Sequence, residues 1–193
     1  MPKTLYLMRH GQTLFNRQHK IQGACDSPLT TQGIADAKSV GQYFQTKGIA
    51  FDHAYTSTQE RAEDTLKLVT SQPYQRLKGL KEWNFGEFEG ESERLNPPFD
   101  PKVGSMGDAF VPYGGEGADQ VQARMVKTLT NVMQQEDNQQ VLAVGHGGAI
   151  YLFLKQWLSL DEIVKHTDLH NCTVLKFSFD GHDFTYETTI NVV

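Results

Sequence analysis

Two arginines, two histidines and a glutamate come just after strand-like segments of this sequence. Arg9 and His10 follow the apolar run at residues 4–8, which has no helical periodicity. Arg61 follows a predicted strand at residues 51–57, Glu82 one at 75–80, and His146 one at 140–145. In open α/β sheets, ligands bind beyond the carboxyl ends of the strands. We therefore expect the five side chains to meet at one edge of a sheet.

These side-chain types together favour transfer of a phosphoryl group. Guanidinium groups such as those of Arg9 and Arg61 bind phosphate oxygens, and their positive charge keeps the imidazole of His10 neutral and nucleophilic. A neutral imidazole can attack phosphorus and form a covalent phosphohistidine. A carboxyl such as that of Glu82 can protonate the departing oxygen and later activate water, and Gly147 leaves room for an anion near the backbone. The set predicts phosphoryl transfer through His10 without a metal.

The elements that must position these residues alternate between strands and helices. Between Thr30 and Gly48, helical periodicity places Ile34 with Ala37, Val40 and Phe44 on an inward face. Further helices are predicted at residues 59–72, around 121–132 and at 148–158, and the runs at 173–179 and 184–190 predict a hairpin that turns at Asp180-Gly181. The alternation predicts an α/β fold with a mainly parallel sheet, helices on both faces and at least one antiparallel strand.

Length and composition indicate one ordinary globular domain over residues 1–193. The net charge of −5 argues against general nucleic-acid binding. Cys25 and Cys172 form no CxxC pair, which fits free thiols, a cytoplasmic location and no zinc site. No signal peptide is recognised, and the apolar stretch at residues 149–158 is interrupted by Lys155 and too short for a bilayer, so no membrane partner is expected. The oligomeric state cannot be read from the sequence.

Four motifs, in order along the chain, resemble those of the histidine phosphatase superfamily, also called the phosphoglycerate mutase-like family. They are LMRHGQT at residues 7–13, followed by Asn16 and Gln22-Gly23, then TSTQERAEDT at 56–65, LKEWNFGEFEG at 80–90, and VGHGGAI at 144–150. The resemblance implies a three-layer α/β/α sandwich. It agrees with the order of elements predicted from periodicity.

The resemblance also implies roles for individual residues. His10 would be the phosphorylated nucleophile, and Glu82 the acid and base. The phosphoryl group would be bound by Arg9, Arg61 and His146, and secondary phosphate or substrate contacts would come from Asn16, Gln22, Gly23 and Gly147. Gln12, Gly145 and Gly117 depart from the family pattern, but none of them replaces one of these residues.

Several alternative activities can be compared on the sequence. Neither cysteine has an arginine six residues later, and there is no Asp-x-Asp nucleophile motif or Walker A loop. The stretch at residues 87–101 is acidic and then rich in proline, without the basic cluster of a phosphoglycerate mutase. Hydrolysis of a small phosphomonoester is therefore favoured. Two alternatives stay open: mutase-type phosphoryl transfer, and a catalytically inactive regulatory protein that binds a phosphorylated ligand. The sequence does not identify the substrate.

Two further segments lead to separate expectations. Residues 96–117 are rich in proline and glycine and predict a long, lid-like loop over the site, in which Phe99, Met106, Phe110 and Tyr113 contact the substrate. His166 and His170 stand four residues apart, as metal ligands on a helix can. No further ligand accompanies them, so no metal or other cofactor is expected.

Overall fold

The computed structural model of the protein describes residues 2–193 and contains a six-stranded mixed sheet. The strands are β1 (Lys3–Arg9), β2 (His53–Ser57), β3 (Tyr74–Leu77), β4 (Gln140–Gly145), β5 (Val174–Phe179) and β6 (Phe184–Ile190), in the spatial order β3-β2-β4-β1-β5-β6. Strands β1 to β4 pair in parallel, and β5 is antiparallel to both of its neighbours. The mainly parallel sheet with an antiparallel strand is confirmed.

Helices cover both faces of this sheet. They are α1 (Leu14–Arg17), α2 (Thr31–Thr46), α3 (Glu60–Val69), α4 (Ala118–Gln134), α5 (Gly147–Trp157) and α6 (Leu160–His166). The buried side chains of α2 and α3 belong to one apolar cluster, and those of α4, α5 and α6 belong to another. The predicted α/β fold and its three-layer α/β/α sandwich are confirmed.

Strand β1 shows how the sheet separates the two clusters. Leu5 and Leu7 pack with the α4–α5 cluster, whereas Tyr6 and Met8 pack with the α2–α3 cluster. This alternation follows from the strand geometry, in which successive side chains point to opposite faces. Because helices cover both faces of the sheet at β1, side chains on both faces are buried, which explains the uninterrupted apolar run in its sequence.

Helix α2 begins at the predicted N-cap, but its inward face is not the one that we predicted. The Thr30 hydroxyl accepts a hydrogen bond from the backbone N–H of Gly33, at 3.0 Å, and caps the helix. Ile34, which we expected inside, is 37% exposed. Gly33 takes the inward position at that turn, where an added Cβ would lie 2.2 Å from the carbonyl oxygen of Gln12. The helix thus packs closely against the loop that follows β1.

Residues 96–117, all of which the structure describes, hold one 3₁₀ turn, Val111–Tyr113, and no α-helix. The aromatic ring of Phe110 is fully buried within this segment and packs against Trp83, Phe85 and Phe88. The segment is therefore attached to the domain through its own core residue. Within residues 2–193, no helix has the length and apolar character needed to span a membrane.

The central strand provides a test of this packing. Leu7 is fully buried and pairs with Ala143 on one side and Leu175 on the other. We expect Leu7→Ala to lower the free energy of unfolding by about 2–5 kcal/mol, because it removes buried methyl groups and leaves a cavity. Urea denaturation measures the change. Val164→Ala, at a position that is 84% exposed on α6, is the control and should change it by less than about 0.5 kcal/mol. Similar values for both variants would contradict this description of the core.

Candidate active site

The predicted residues converge at the carboxyl edge of the parallel strands, around a cavity of about 230 Å³. Six of the nine line it: Arg9, His10, Asn16, Gln22, Glu82 and Gly147. The other three, Arg61, His146 and Gly23, lie beside these residues rather than in the cavity wall. The remaining wall comes from Lys20, Ile21, Phe85, Glu93, Asn96, Met106, Gly148 and Leu169.

His10 is buried at the end of β1 with its ring orientation set by the backbone. Its Nδ1 is 2.8 Å from the carbonyl oxygen of Gly11, which only accepts, so Nδ1 carries the proton. The lone pair is then on Nε2, which receives a hydrogen bond from Nε of Arg61 at 3.3 Å. Burial, followed by the charges of Arg61 and Arg9, lowers the pKa of His10 well below its ordinary value of 6.5. The ring is therefore neutral at neutral pH.

Arg61 lies on the first turn of α3 and is 1% exposed. Its terminal nitrogens donate to backbone carbonyls of Gln22, Gly23 and Cys25 and to the carboxylate of Asp26, at 2.9–3.3 Å. Gln22 and Gly23 thus contact Arg61 through their main chains. The buried guanidinium is fully paired while its Nε remains directed at His10.

His146 follows β4 and is the N-cap residue of α5. Its ring centroid is 5.1 Å from that of His10, and the side chain is fully buried. Neither ring nitrogen has a hydrogen-bond partner among residues 2–193, and the same is true of Nε of Arg9. Burial, followed by the charge of Arg61, lowers the pKa of His146 well below 6.5. Buried polar atoms without partners carry a desolvation cost that a ligand can offset.

Glu82 lines the cavity, and its carboxyl contacts the first backbone N–H groups of α5. Its Oε1 accepts hydrogen bonds from the backbone N–H groups of Trp83, at 2.8 Å, and Ala149, at 2.7 Å, and its Oε2 accepts one from Gly148 at 3.0 Å. A Cβ on Gly148 would lie 2.9 Å from Oε1, and one on Gly147 would lie 3.1 Å from the guanidinium of Arg9. The two glycines therefore allow both side chains to approach the helix end.

Glu89 positions the loop that contacts Arg61. Its carboxylate accepts hydrogen bonds from the backbone N–H groups of Gly23, Ala24 and Cys25, and from that of Phe85, at 2.7–3.0 Å. Burial alone would raise the pKa of Glu89, but the hydrogen bonds from Cys25 and the backbone hold it below its usual value. The backbone N–H groups of this loop therefore bond to Glu89, and its carbonyls bond to Arg61.

Three residues near the site were not predicted. The Gln59 side chain bonds the Gly23 carbonyl and accepts from the backbone N–H of Glu82 at 2.8 Å. Asn171 donates to the His10 carbonyl at 3.1 Å and to the Asn16 side chain at 3.2 Å. Arg124 donates to the Glu82 carbonyl at 2.9 Å. Asn171 and Arg124 do not follow a predicted strand. Gln59 lies between the predicted strand at residues 51–57 and Arg61, but its partners Gly23 and Glu82 are distant in sequence.

The remaining candidates lie in different environments. Met106 lines the cavity, but Phe110 is a core residue and not the substrate contact we expected, and Phe99 and Tyr113 are exposed away from the cavity wall. His166 ends α6, whereas His170 lies beyond it and pairs with Asp168 on the surface at 2.8 Å. No group of three potential metal ligands forms among residues 2–193. Burial raises the pKa of each cysteine to about 12.

The buried neutral histidines predict a pH effect on stability. In the unfolded chain they bind protons below about pH 6.5, while in the folded protein they do not, so stability falls as pH falls through this range. Between pH 7.5 and 5.5, we expect His146→Asn to reduce that fall in unfolding free energy by about 1 kcal/mol. Urea denaturation at both pH values measures it. A fall in His146→Asn equal to that of the wild-type protein would contradict the assignment.

Comparison with known proteins extends across nearly the whole chain. Residues 5–192 match the Histidine phosphatase superfamily (branch 1). The chain is 30% identical over 176 residues to the "Uncharacterized phosphatase PhoE" of Bacillus subtilis (strain 168), covering 90% of this chain and 86% of that protein. These matches support a phosphatase-type enzyme.

Solved structures of two related enzymes share the fold. Phosphoglycerate mutase from Bacillus anthracis str. Sterne aligns with a TM-score of 0.82 at 26% identity, covering 97% of this chain and 92% of that one. Phosphoserine phosphatase from Entamoeba histolytica, in complex with 3-phosphoglyceric acid, aligns with a TM-score of 0.79 at 27% identity, covering 97% and 96%. The resemblance carried by the four motifs is confirmed, and the chain belongs to the histidine phosphatase superfamily.

Proposed function

We propose that this protein is a metal-independent phosphomonoesterase for small phosphorylated metabolites that works through a phosphohistidine on His10. One observation carries the proposal: the neutral His10 ring is held with its lone pair on Nε2, next to Arg61, in a cavity that Arg9 and Glu82 also line. A neutral nucleophile, cationic groups for the phosphoryl oxygens and a carboxyl for proton transfer are the groups this chemistry needs.

In the first step, Nε2 of His10 attacks phosphorus while the bond from phosphorus to the substrate oxygen breaks. Glu82 gives its proton to that oxygen, which leaves as an alcohol. Its Oε2 accepts a single backbone hydrogen bond, so a lone pair is available to carry the proton. The substrate phosphoryl oxygens accept hydrogen bonds from Arg9 and His146, and from Nε of Arg61, which is released from Nε2 of His10 as that atom bonds to phosphorus. This gives the unpartnered Nε of Arg9 and one ring nitrogen of His146 a partner.

In the second step, water replaces the alcohol. The Glu82 carboxylate takes a proton from the water, the water oxygen attacks phosphorus, and the bond from phosphorus to Nε2 breaks. Inorganic phosphate leaves, and His10 returns to its neutral form. The secondary residues support this site through its other members. The carbonyls of Gln22 and Gly23 hold Arg61, and Gly147 leaves room for Arg9. Asn16 lines the cavity and accepts a hydrogen bond from Asn171.

Hydrolysis is favoured over mutase-type transfer by the charges around the cavity. Apart from Arg9, Lys20 is the one Lys or Arg side chain among the residues that line the cavity, and Glu82 and Glu93 are acidic. A mutase intermediate carries a second phosphate that must be held there, which calls for more positive charge. The phosphatase name of the Bacillus subtilis relative agrees with this choice.

We also propose that residues 1–193 form a single domain in which residues 96–117 act as a lid or wall. Met106 and Asn96 of this segment line the cavity, and Phe110 attaches it to the core. Substrate choice would then depend on the part of the segment nearest the phosphate site. The cytoplasmic location inferred from two unpaired cysteines stays a prediction.

The nucleophile can be tested by labelling. Incubation with a ³²P-labelled phosphomonoester should give an acid-labile, base-stable phosphate on His10. His10→Ala should lose the label and lower kcat by at least ~10³-fold, because no other nucleophile is in place. His182→Ala, at an exposed histidine, is the matched control and should keep both label and turnover.

The same assays distinguish the alternative functions. Absence of label together with absence of hydrolysis across a varied metabolite panel would contradict an enzyme and favour a binding protein. Interconversion of 2- and 3-phosphoglycerate faster than release of free phosphate would contradict hydrolysis and favour a mutase. His10→Ala should still bind inorganic phosphate, since Arg9 and Arg61 remain.

The wall formed by Met106 provides a test of substrate choice. Met106→Ala removes apolar surface from the cavity, so KM for phenyl phosphate should rise roughly three- to tenfold, at about 0.8 kcal/mol per buried methylene. KM for methyl phosphate should hardly change, because its methyl group is too small to reach Met106. Phe99→Ala, at an exposed residue of the same segment, is the control. An unchanged ranking of the two substrates in Met106→Ala would argue against a role for this segment in specificity.

A further inference from the structure

The guanidinium of Arg124 on α4 makes an unusually complete set of hydrogen bonds. It donates to the backbone carbonyls of Gly79, Lys81 and Glu82 at 3.0, 2.6 and 2.9 Å. It also forms a two-pronged ion pair with Glu116, with both contacts at 2.9 Å. Three carbonyls from one short segment therefore converge on a single cation.

Glu116 binds the same segment from its other end. Its Oε2 accepts a hydrogen bond from the backbone N–H of Asn84 at 3.0 Å, and its backbone N–H donates to the Asn84 carbonyl at 2.9 Å. Its own carbonyl accepts from the indole N–H of Trp83 at 2.6 Å. Burial would raise the pKa of Glu116, but the hydrogen bond and charge of Arg124 hold it below its usual value. The carboxylate is therefore ionised and paired.

The segment between these contacts carries the candidate acid and has little regular structure of its own. After the 3₁₀ turn Lys78–Leu80, residues 81–85, which the structure describes in full, belong to no helix or strand. The backbone at Glu82 is instead held by Gln59 at its N–H and by Arg124 at its carbonyl. Without Arg124, the carbonyls of Gly79, Lys81 and Glu82 lose their shared donor.

We propose that Arg124, together with Glu116, is a positioning residue that holds Glu82 where its carboxyl can reach the leaving oxygen. The inference rests on the phosphohistidine mechanism proposed above. Neither residue is needed to touch substrate, since each acts through the backbone around Glu82. A shift of Glu82 by about 1 Å is enough to impair proton transfer strongly, while His10, Arg9 and Arg61, whose contacts do not involve Arg124, keep their places.

Because Arg124 acts through Glu82, the loss of activity in an Arg124 variant should depend on the leaving group of the substrate. An alkyl phosphate such as glycerol 2-phosphate releases a basic alkoxide and needs the proton from Glu82, whereas 4-nitrophenyl phosphate releases a stable phenolate and hardly needs it. The measured quantity is kcat/KM, which reports the steps up to release of the alcohol. A variant that displaces only Glu82 should therefore lose activity toward the alkyl substrate selectively.

The experiment compares both substrates in Arg124→Met, Arg124→Lys and Glu116→Gln. In Arg124→Met, we expect kcat/KM to fall roughly 10²-fold for glycerol 2-phosphate and less than about fivefold for 4-nitrophenyl phosphate. Arg124→Lys should show a smaller selective loss, because an ammonium can satisfy some of the carbonyls but cannot form the planar fork. Lys176→Met is the control, because it breaks the 2.7 Å ion pair between Lys176 on β5 and Glu187 on β6. It should leave the ratio of kcat/KM for the two substrates unchanged.

The possible outcomes separate the two proposals. A selective loss for the alkyl substrate supports the positioning role. Equal losses for both substrates in active variants would overturn it, because they indicate a general effect on folding or binding, and the phosphohistidine mechanism would stand. If the wild-type protein turns over neither substrate and takes no label on His10, the proposed function fails, and this inference fails with it. Circular dichroism checks each variant; if Arg124→Met does not fold, the two milder variants decide by the same ratio.

Discussion

A guanidinium that is almost completely removed from water lies at the centre of this structure. Arg61 is 1% exposed, and burying a cation costs several kcal/mol unless its donors are paired. The protein satisfies it mainly with the backbone carbonyls of the loop around residues 22–25. That loop is in turn held by Glu89, which accepts its N–H groups. A buried positive charge and a partly buried negative charge thus bind opposite sides of one loop and define its shape.

The electrostatics of the two histidines follow from this arrangement. His10 and His146 are buried within reach of Arg61, and burial and positive charge act in the same direction on their pKa values. Both rings are therefore neutral, although they lie 5.1 Å apart in a site rich in charge. A neutral His10 keeps its lone pair on Nε2, and a neutral His146 keeps a ring N–H that can be donated to an anion. The same field that favours a bound phosphate maintains these protonation states.

Glu82 and Glu116 are bonded to groups other than Arg61 and the two histidines. The Glu82 carboxyl accepts hydrogen bonds from the backbone N–H groups of Gly148 and Ala149 at the start of α5. Glu116 pairs with Arg124 behind the segment that carries Glu82. The two arginines therefore have different surroundings. Arg61 is bonded to a loop and directed at His10, while Arg124 is bonded to the backbone that carries the carboxyl.

Much of the architecture and the identity of the site could be predicted from local sequence. Apolar runs mark strands such as β1, and the motifs around His10, Arg61, Glu82 and His146 indicate both the family and the chemistry. Each of these four residues follows a parallel strand, at a distance of one to five residues. The roles of these residues stay predictions, but their convergence follows from the rule for parallel sheets. Periodicity was less reliable at helix margins: Ile34 faces outward because Gly33 makes the close contact with the Gln12 backbone.

Tertiary structure alone decided which groups hold the site in place. Gln59, Arg124 and Asn171 bond backbone atoms 23 to 161 residues away in the chain, so no sequence spacing or side-chain pattern identifies them. Phe110 became a core residue, because three neighbouring aromatic rings cover it in three dimensions. By itself, the sequence determined the strand order along the chain and the reactive side chains at the strand ends, since both depend on local patterns. The positions of those side chains depend on long-range hydrogen bonds and packing, which form only when the chain folds.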